Sequence, residues 1–308
     1  MVDKSLTDAF ITYTKKIGFG DIAFTSPTLS ENNIKAYSEW INNNMHGDMR
    51  YMTNVMRINP KDFLPDAKSV IMLATPYKQP HTPFENGYGI VASYARGRDY
   101  HKILNKRLKK LLFWLENHVD KQNTVVFTDT KPILEKALAV QSGLGHFGRN
   151  SLVIHRRFGT FFFLSGLITT VDFPKTISKW KDICRKCYRC IDACPTQAIV
   201  KPYIVDARLC LSYNTIETKS MMPKKIASNN PGYIFGCDIC QDVCPHNIKP
   251  KVTNDPDFQP AVGVGAKLKL DELHLLPGDH YHGTVLQRRK PEGLTYTAKT
   301  LLESNKFS

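Results

Sequence analysis

Cys184-Arg-Lys-Cys187-Tyr-Arg-Cys190-Ile-Asp-Ala-Cys194-Pro195 is the stretch on which the reading of this chain turns. Its spacing, C-x2-C-x2-C-x3-C-P, lets three thiols wrap three corners of one iron-sulfur cube, while the fourth, followed by proline, is carried toward a second cube. Cys237-x2-Cys240-x3-Cys244-Pro245 holds the last three positions of the same motif, and Cys210, upstream, supplies the missing one. The exchange of ligands in two-cluster ferredoxins then puts Cys184, Cys187, Cys190 and Cys244 in one set, and Cys194, Cys210, Cys237 and Cys240 in the other. A pair of structural zinc sites also needs four thiolates each, but zinc motifs supply two close pairs, whereas here a third cysteine stands at cube spacing. Two adjacent 4Fe-4S clusters carry electrons, so the rest of the chain should contain what they are delivered to.

Composition sets the surroundings of that wire. The chain has 308 residues, 42% hydrophobic and 23% charged, which excludes disorder as its main state and suggests two domains, or one with an insert. The longest apolar run, Phe161 to Thr169, is broken by Ser165 and Gly166 and falls short of the roughly 18 residues of a membrane span. Met1-Val-Asp-Lys-Ser carries no apolar signal region. A cytoplasmic protein without membrane contact is therefore expected, and in that compartment eight thiols point to metal or redox chemistry rather than disulfides. Lys and Arg outnumber Asp and Glu by 42 to 28, a formal charge of +14. Two clusters on eight thiolates lower this only to roughly +10, and such a surplus suits a polyanionic partner, nucleic acid before membrane.

Residues 1–175 alternate between helical and strand periodicity. A capping box of Ser5 and Asp8 opens a helix to Ile17, and a second helix carries Ile34, Tyr37, Ile41 and Met45 on one face. Lys68 to Tyr77 is almost wholly apolar, as a strand covered on both sides should be. Tyr88 to Ala95 reads as the next strand. Asp99 caps a long helix through Val119 whose Leu104, Leu108, Leu111 and Leu115 face inward. Thr124 to Thr128 is a strand, Ile133 to Gln141 a helix stopped by Gly143, and Ser151 to His155 forms a hairpin with Phe158 to Thr169. From residue 176 to about 250 the texture is polar and cysteine-bearing; residues 251–308 are loop material with one helix, Thr295 to Ser304.

Gly143-Leu-Gly145-His-Phe-Gly148 satisfies GxGxxG, yet its context is reversed. A dinucleotide fingerprint needs a strand before the glycines and a helix after them, whereas here a helix ends at Gly143 and a strand begins at Ser151. A helix-capping loop is the better account.

Beyond the cysteine motifs, Tyr94-Ala-Arg-Gly-Arg-Asp-Tyr-His101, Thr128-Asp-Thr-Lys-Pro-Ile-Leu-Glu135, Gly143 to Ser151, Cys210-Leu-Ser-Tyr213 and Gly236-Cys-Asp-Ile-Cys-Gln241 resemble, in order and spacing, the epoxyqueuosine reductases. The resemblance implies an α/β (α+β), nitroreductase-like, cobalamin-binding domain over 1–175. A ferredoxin-like domain with two 4Fe-4S clusters follows over 176–250, and a short extension over 251–308 stands where longer members have helical repeats. It implies an oxidoreductase that reduces epoxyqueuosine to queuosine at the wobble position of tRNA, taking electrons from an external donor such as flavodoxin or ferredoxin and acting as a monomer.

By the same resemblance Asp129 is the proton donor, and Arg57, Tyr94, Asp129, Gly145, Arg149, Asn150, Ser151, Ser212 and Gln241 contact the cobalamin. To donate near neutral pH, an Asp must be raised about 3 units from its reference value, which calls for burial beneath an apolar face with no close cation. His101 is a second acid, a substrate contact or a helix cap. The runner-up reading is a cobalamin-dependent reductase of a small molecule, like the reductive dehalogenases; it would have no use for so basic a surface.

Overall fold

The apolar run around Met72 is the centre of the main sheet. The structure, a computed structural model, describes residues 2–177, 183–219, 221–275, 277 and 279–303. In chain order, α1 (Lys4–Lys16), β1 (Asp21–Thr25) and α2 (Glu31–Asn42) precede β2 (Ser69–Pro76) and β3 (Tyr88–Val91). Then come α3 (Tyr100–His118), β4 (Thr124–Phe127), α4 (Glu135–Gln141), β5 (His146–Phe147), β6 (Val153–Ile154) and β7 (Phe162–Thr169). The cysteine segment contributes α5 (Arg189–Asp192), β8 (Ile199–Lys201), β9 (Ile204–Val205), α6 (Leu211–Ile216), α7 (Lys224–Ala227), β10 (Tyr233–Phe235) and α8 (Ile239–Asp242). β11 (Lys267–Lys269) and α9 (Lys290–Glu303) close the chain.

The main sheet runs β1-β2-β7-β4, antiparallel throughout. Alternation along β2 sends Ile71 and Leu73 to one side, against Phe10 of α1 and Leu104, Leu108, Leu111 and Leu115 of α3. It sends Val70, Met72 and Ala74 to the other, against Ala137 and Leu138 of α4. Both faces are thus covered by helices. Each fully buried aliphatic side chain stabilises this arrangement by about 1.5–3 kcal/mol.

Several local expectations are corrected. Asp3, not Ser5, caps α1, its side chain accepting from the Leu6 N–H. Asp99 does cap α3. The expected hairpin of 151–155 with 158–169 is reduced to one antiparallel bridge, His155 with Gly159, because β7 is drawn between β2 and β4 while β6 pairs back onto β5. Tyr88 to Ala95 is a strand only to Val91 and then turns through a 3-10 helix. The last helix begins at Lys290, five residues earlier than expected, and Ser304, its expected end, lies outside the described residues.

β3 does not join the main sheet. It sits between β10, parallel to it, and β11, antiparallel to it. Around this small sheet the segment read as loop material builds a core of its own, in which Leu270, Tyr281, Leu286, Leu294 and Leu301 pack on Val91, Ile234 and Phe235. No helix among the described residues is long and apolar enough to cross a membrane.

Candidate active site and cysteine cavities

Asp129 stands at the carboxyl end of β4, where the chain turns sharply. Its φ is +53°, and the Thr130 N–H reaches back to the Thr128 carbonyl at 2.5 Å. Asp tolerates this left-handed backbone better than most residues, and such strain collects at functional positions. The Glu135 side chain at the start of α4 pins the turn by accepting the Asp129 N–H at 2.6 Å.

The first turn of α3 meets this loop. His101 Nδ1 lies 2.7 Å from Oδ1 of Asp99 and Nε2 lies 3.2 Å from Oδ2 of Asp129. Ionised carboxylates only accept, so placing one at each ring nitrogen calls for an N–H on both, the imidazolium form. Burial opposes that charge, but the two hydrogen bonds prevail and push His101 up to about 9. For Asp129, burial works upward, yet the His101 bond and charge, with help from Tyr100 and Arg57, hold it below the usual carboxylate range. Glu135 is the carboxyl that keeps its proton instead: desolvation, then the Asp129 charge, push it up to about 8. The expectation of a neutral Asp129 with no close cation is therefore corrected, because His101, 28 residues away in sequence, supplies the cation.

Asp129 stays open to solvent among close neighbours. Its side chain is 66% accessible although His101, Tyr100 and Arg57 crowd it. Arg57 is buried, with Nε donating to the Tyr51 carbonyl at 3.2 Å. Lys136 is accessible and feels Cys240, Asp129 and Cys210 together. Tyr51 feels both Asp129 and Arg57, and Arg288 from the C-terminal stretch lies 5.3 Å from its ring centre and holds Glu217 through two bonds of 2.6 and 3.2 Å. Tyr94 lies beneath, its ring 6.3 Å from Tyr100 and its hydroxyl raised well above the usual range by burial and then by Asp129.

The cysteines fall into the two groups read from their spacing, and all eight are free thiols. Cys184, Cys187, Cys190 and the distant Cys244 line one cavity of about 140 Å³. Cys210, Cys237 and Cys240 face one another, with Cys194 beside Cys210 and Cys240. Burial raises Cys210, while the backbone N–H groups of Tyr213 and Ser212 work the other way. Among the described residues no three of His, Cys, Asp and Glu close on a single-ion position; the thiols stand apart around a space.

Several residues expected at the corrin also contact the cysteine segment. Arg149 lines the first cysteine cavity and lies 4.0 Å from the Tyr188 ring centre. Asn150 Nδ2 donates to the Cys240 carbonyl at 3.2 Å, and Ser151 Oγ donates to the Tyr203 carbonyl at 2.5 Å. Gln241 is buried in a bracket, accepting from Thr160 Oγ1 at 2.9 Å and donating to Asp238 at 3.1 Å. A Cβ on Gly145 would sit 2.5 Å from Val153 and 2.7 Å from the Ile154 carbonyl, so this glycine answers to the β5–β6 hairpin. Arg149, Asn150 and Gln241 thus tie the sheet domain to the cysteine segment. Ser212 stays beside Cys210, at the start of α6.

A family model described as "Epoxyqueuosine reductase QueG, DUF1730" matches residues 57–130, and one described as "4Fe-4S double cluster binding domain" matches 183–247. The epoxyqueuosine reductase of Synechocystis sp. is 38% identical over 92% of this chain and 99% of its own length. The chain belongs to the epoxyqueuosine reductase family. An epoxyqueuosine reductase crystallised with an epoxyqueuosine-modified tRNA-Tyr stem loop superposes with a TM-score of 0.87 at 26% identity, covering 97% of this chain and 81% of that one. The epoxyqueuosine reductase of Bacillus subtilis, described with an aspartate-bearing catalytic loop swung out of its active site, gives 0.86 at 25% identity, covering 99% and 82%.

As a member of the epoxyqueuosine reductase family the chain is an oxidoreductase with the family's fold, and residues 183–247 are a site for two 4Fe-4S clusters. Glu135, Lys136, Tyr51 and Arg288 escaped the sequence reading. Only Glu135 lies in a stretch that resembles the family, and nothing in the spacing of Tyr51 and Arg288 announces that they meet.

Proposed function

We propose that the chain reduces epoxyqueuosine to queuosine in tRNA, with cobalamin beside Asp129 and electrons arriving through the two clusters. The observation that carries this reading is the Asp99–His101–Asp129 relay, whose open end, Asp129, acts on Lys136 together with Cys240 and Cys210 of the second cysteine group. The donors there suit the corrin: the Arg57 guanidinium, the Lys136 ammonium and the Tyr51 hydroxyl match its amide carbonyls. When bound, cobalamin supplies low-valent cobalt as nucleophile or electron donor to carbon.

The chain's own residues manage protons and position. Opening the epoxide and expelling its oxygen as water takes two electrons and two protons. Asp129 takes a proton from His101 Nε2 and passes it to the departing oxygen, and Asp99 steadies the positive charge of His101 on the far side. Glu135 fixes the Asp129 backbone, so the carboxyl stays in place. The aspartate of the Bacillus subtilis catalytic loop supports this role for Asp129.

Cys184, Cys187, Cys190 and Cys244 would hold one cluster and Cys194, Cys210, Cys237 and Cys240 the other. The division at residues 175 and 250 belongs to this reading, as do a monomeric state, a cytoplasmic location and a flavodoxin or ferredoxin as donor. The +14 charge supports tRNA as partner. A small-molecule dehalogenase is not favoured, since the relatives are epoxyqueuosine reductases. The test is mass spectrometry of tRNA nucleosides from cells with and without the gene: accumulation of the epoxide precursor in its absence is expected, and unchanged queuosine overturns the proposal.

A further inference from the structure

Arg149 is the one joint residue whose polar atoms are not used up by the joint. It is 8% exposed. Nη2 donates to the Arg185 carbonyl, and the guanidinium stacks at 4.0 Å on Tyr188. Nε and Nη1 are buried with no partner. A buried donor left unmatched is costly, and in a native fold it calls for a specific explanation such as an ion or ligand. Arg149 lines the cavity of Cys184, Cys187, Cys190 and Cys244, as Arg189 does, so its fixed guanidinium stands in the wall of the space those thiolates enclose.

We infer that Arg149 is the fixed counter-charge of the cluster held by Cys184, Cys187, Cys190 and Cys244, and that it raises the reduction potential of that cluster. Four thiolates around an oxidised core carry about −2, and one electron from a low-potential donor takes this to about −3, with no bond or proton exchanged. A positive charge held in a poorly solvated wall favours the more negative state, and hydrogen bonds to the sulfurs act in the same direction. Arg149 already stacks on Tyr188 and ties to Arg185, so the guanidinium is held in place before the electron arrives. Arg149 is thus a positioning residue for electron entry, acting on the cluster and not on tRNA.

This inference rests on the reading that the thiolates hold clusters, and iron analysis separates the two. Wild-type protein with about eight irons per chain upholds that reading; protein without iron overturns both. The deciding experiment is a redox titration of the whole protein, poised with dithionite and mediators and followed by electron paramagnetic resonance, on wild type, Arg149→Met and Arg149→Lys.

In Arg149→Met one cluster should become harder to reduce, its reduced-to-oxidised ratio falling about tenfold at the wild-type midpoint, which is about 59 mV for one electron. The other cluster should stay in place, and Arg149→Lys, which keeps the charge, should restore most of the difference. Eight irons with both midpoints unmoved in Arg149→Met overturns the inference, as does an equal shift of both. If Arg149→Met loses four irons, Arg149→Lys decides: a wild-type midpoint upholds the inference and a tenfold shift overturns it. Loss of iron in both variants assigns Arg149 to assembly and overturns it too.

Discussion

His101 places its Nε2 3.2 Å from Oδ2 of Asp129, so the two groups share a proton between a ring raised to about 9 and a carboxylate held below its usual range. The arrangement keeps the proton on the imidazole at rest and makes Asp129 the carrier open to solvent.

Asp129→Asn keeps the shape and removes the carrier. Cofactor binding should survive, while single-turnover epoxide reduction slows by about 10²–10⁴-fold, the usual worth of a positioned acid. An unchanged rate would remove Asp129 from the reaction.

The rate should follow the charge on His101. The group is raised from 6.5 to about 9, so its contribution to stability is complete below pH 6.5 and is lost as the pH climbs through 9. The pH profile of reduction should fall along the same limb. In His101→Gln that limb should vanish, leaving a lower, flat rate in the alkaline range.

Glu135 offers a second pH test with a different outcome. It is raised from 4.5 to about 8, so between those values the folded chain holds a proton that the unfolded chain has released. Stability therefore declines as pH rises from 4.5 to 8, by a few kcal/mol at most. Glu135→Gln, whose amide oxygen still accepts from Asp129, should flatten the urea-unfolding midpoint across that window; a parallel decline would remove Glu135 as its source.

Cys244→Ser tests the ligand exchange. The serine variant should disturb the cluster of Cys184, Cys187 and Cys190, with which Cys244 shares a cavity, and spare the one of Cys237 and Cys240. Spectra in which Cys244→Ser and Cys237→Ser damage the same cluster would contradict the grouping.

Much of this was legible in the residues. The cysteine spacing yields the two thiol groups, because the geometry of a cube constrains both neighbours in sequence and the crossing fourth ligand. The apolar run of β2 announces a strand covered twice. The relay was not legible in the same way: Asp129 and His101 belong to separate motifs, and only the packing of α3 beside β4 brings imidazole to carboxylate. Arg149, Asn150 and Gln241 match family segments, but a motif does not say which side of a loop its side chains serve. The C-terminal stretch misled through its glycines and prolines. Its apolar residues follow no period because they descend on the β3 sheet from short turns, not from one long element.

The position of β3 bears on how the protein is made. Its two neighbours, β10 and β11, come from Tyr233–Phe235 and Lys267–Lys269, so a strand finished early in translation waits with both edges bare until nearly the whole chain has been synthesised. The sheet of 69–169 can form while the ribosome is still at work, whereas the Cys237–Cys244 loop is secured only once that late pairing closes. The loop of Cys237–Cys244 therefore gains its support last, after every strand of the main sheet has been made.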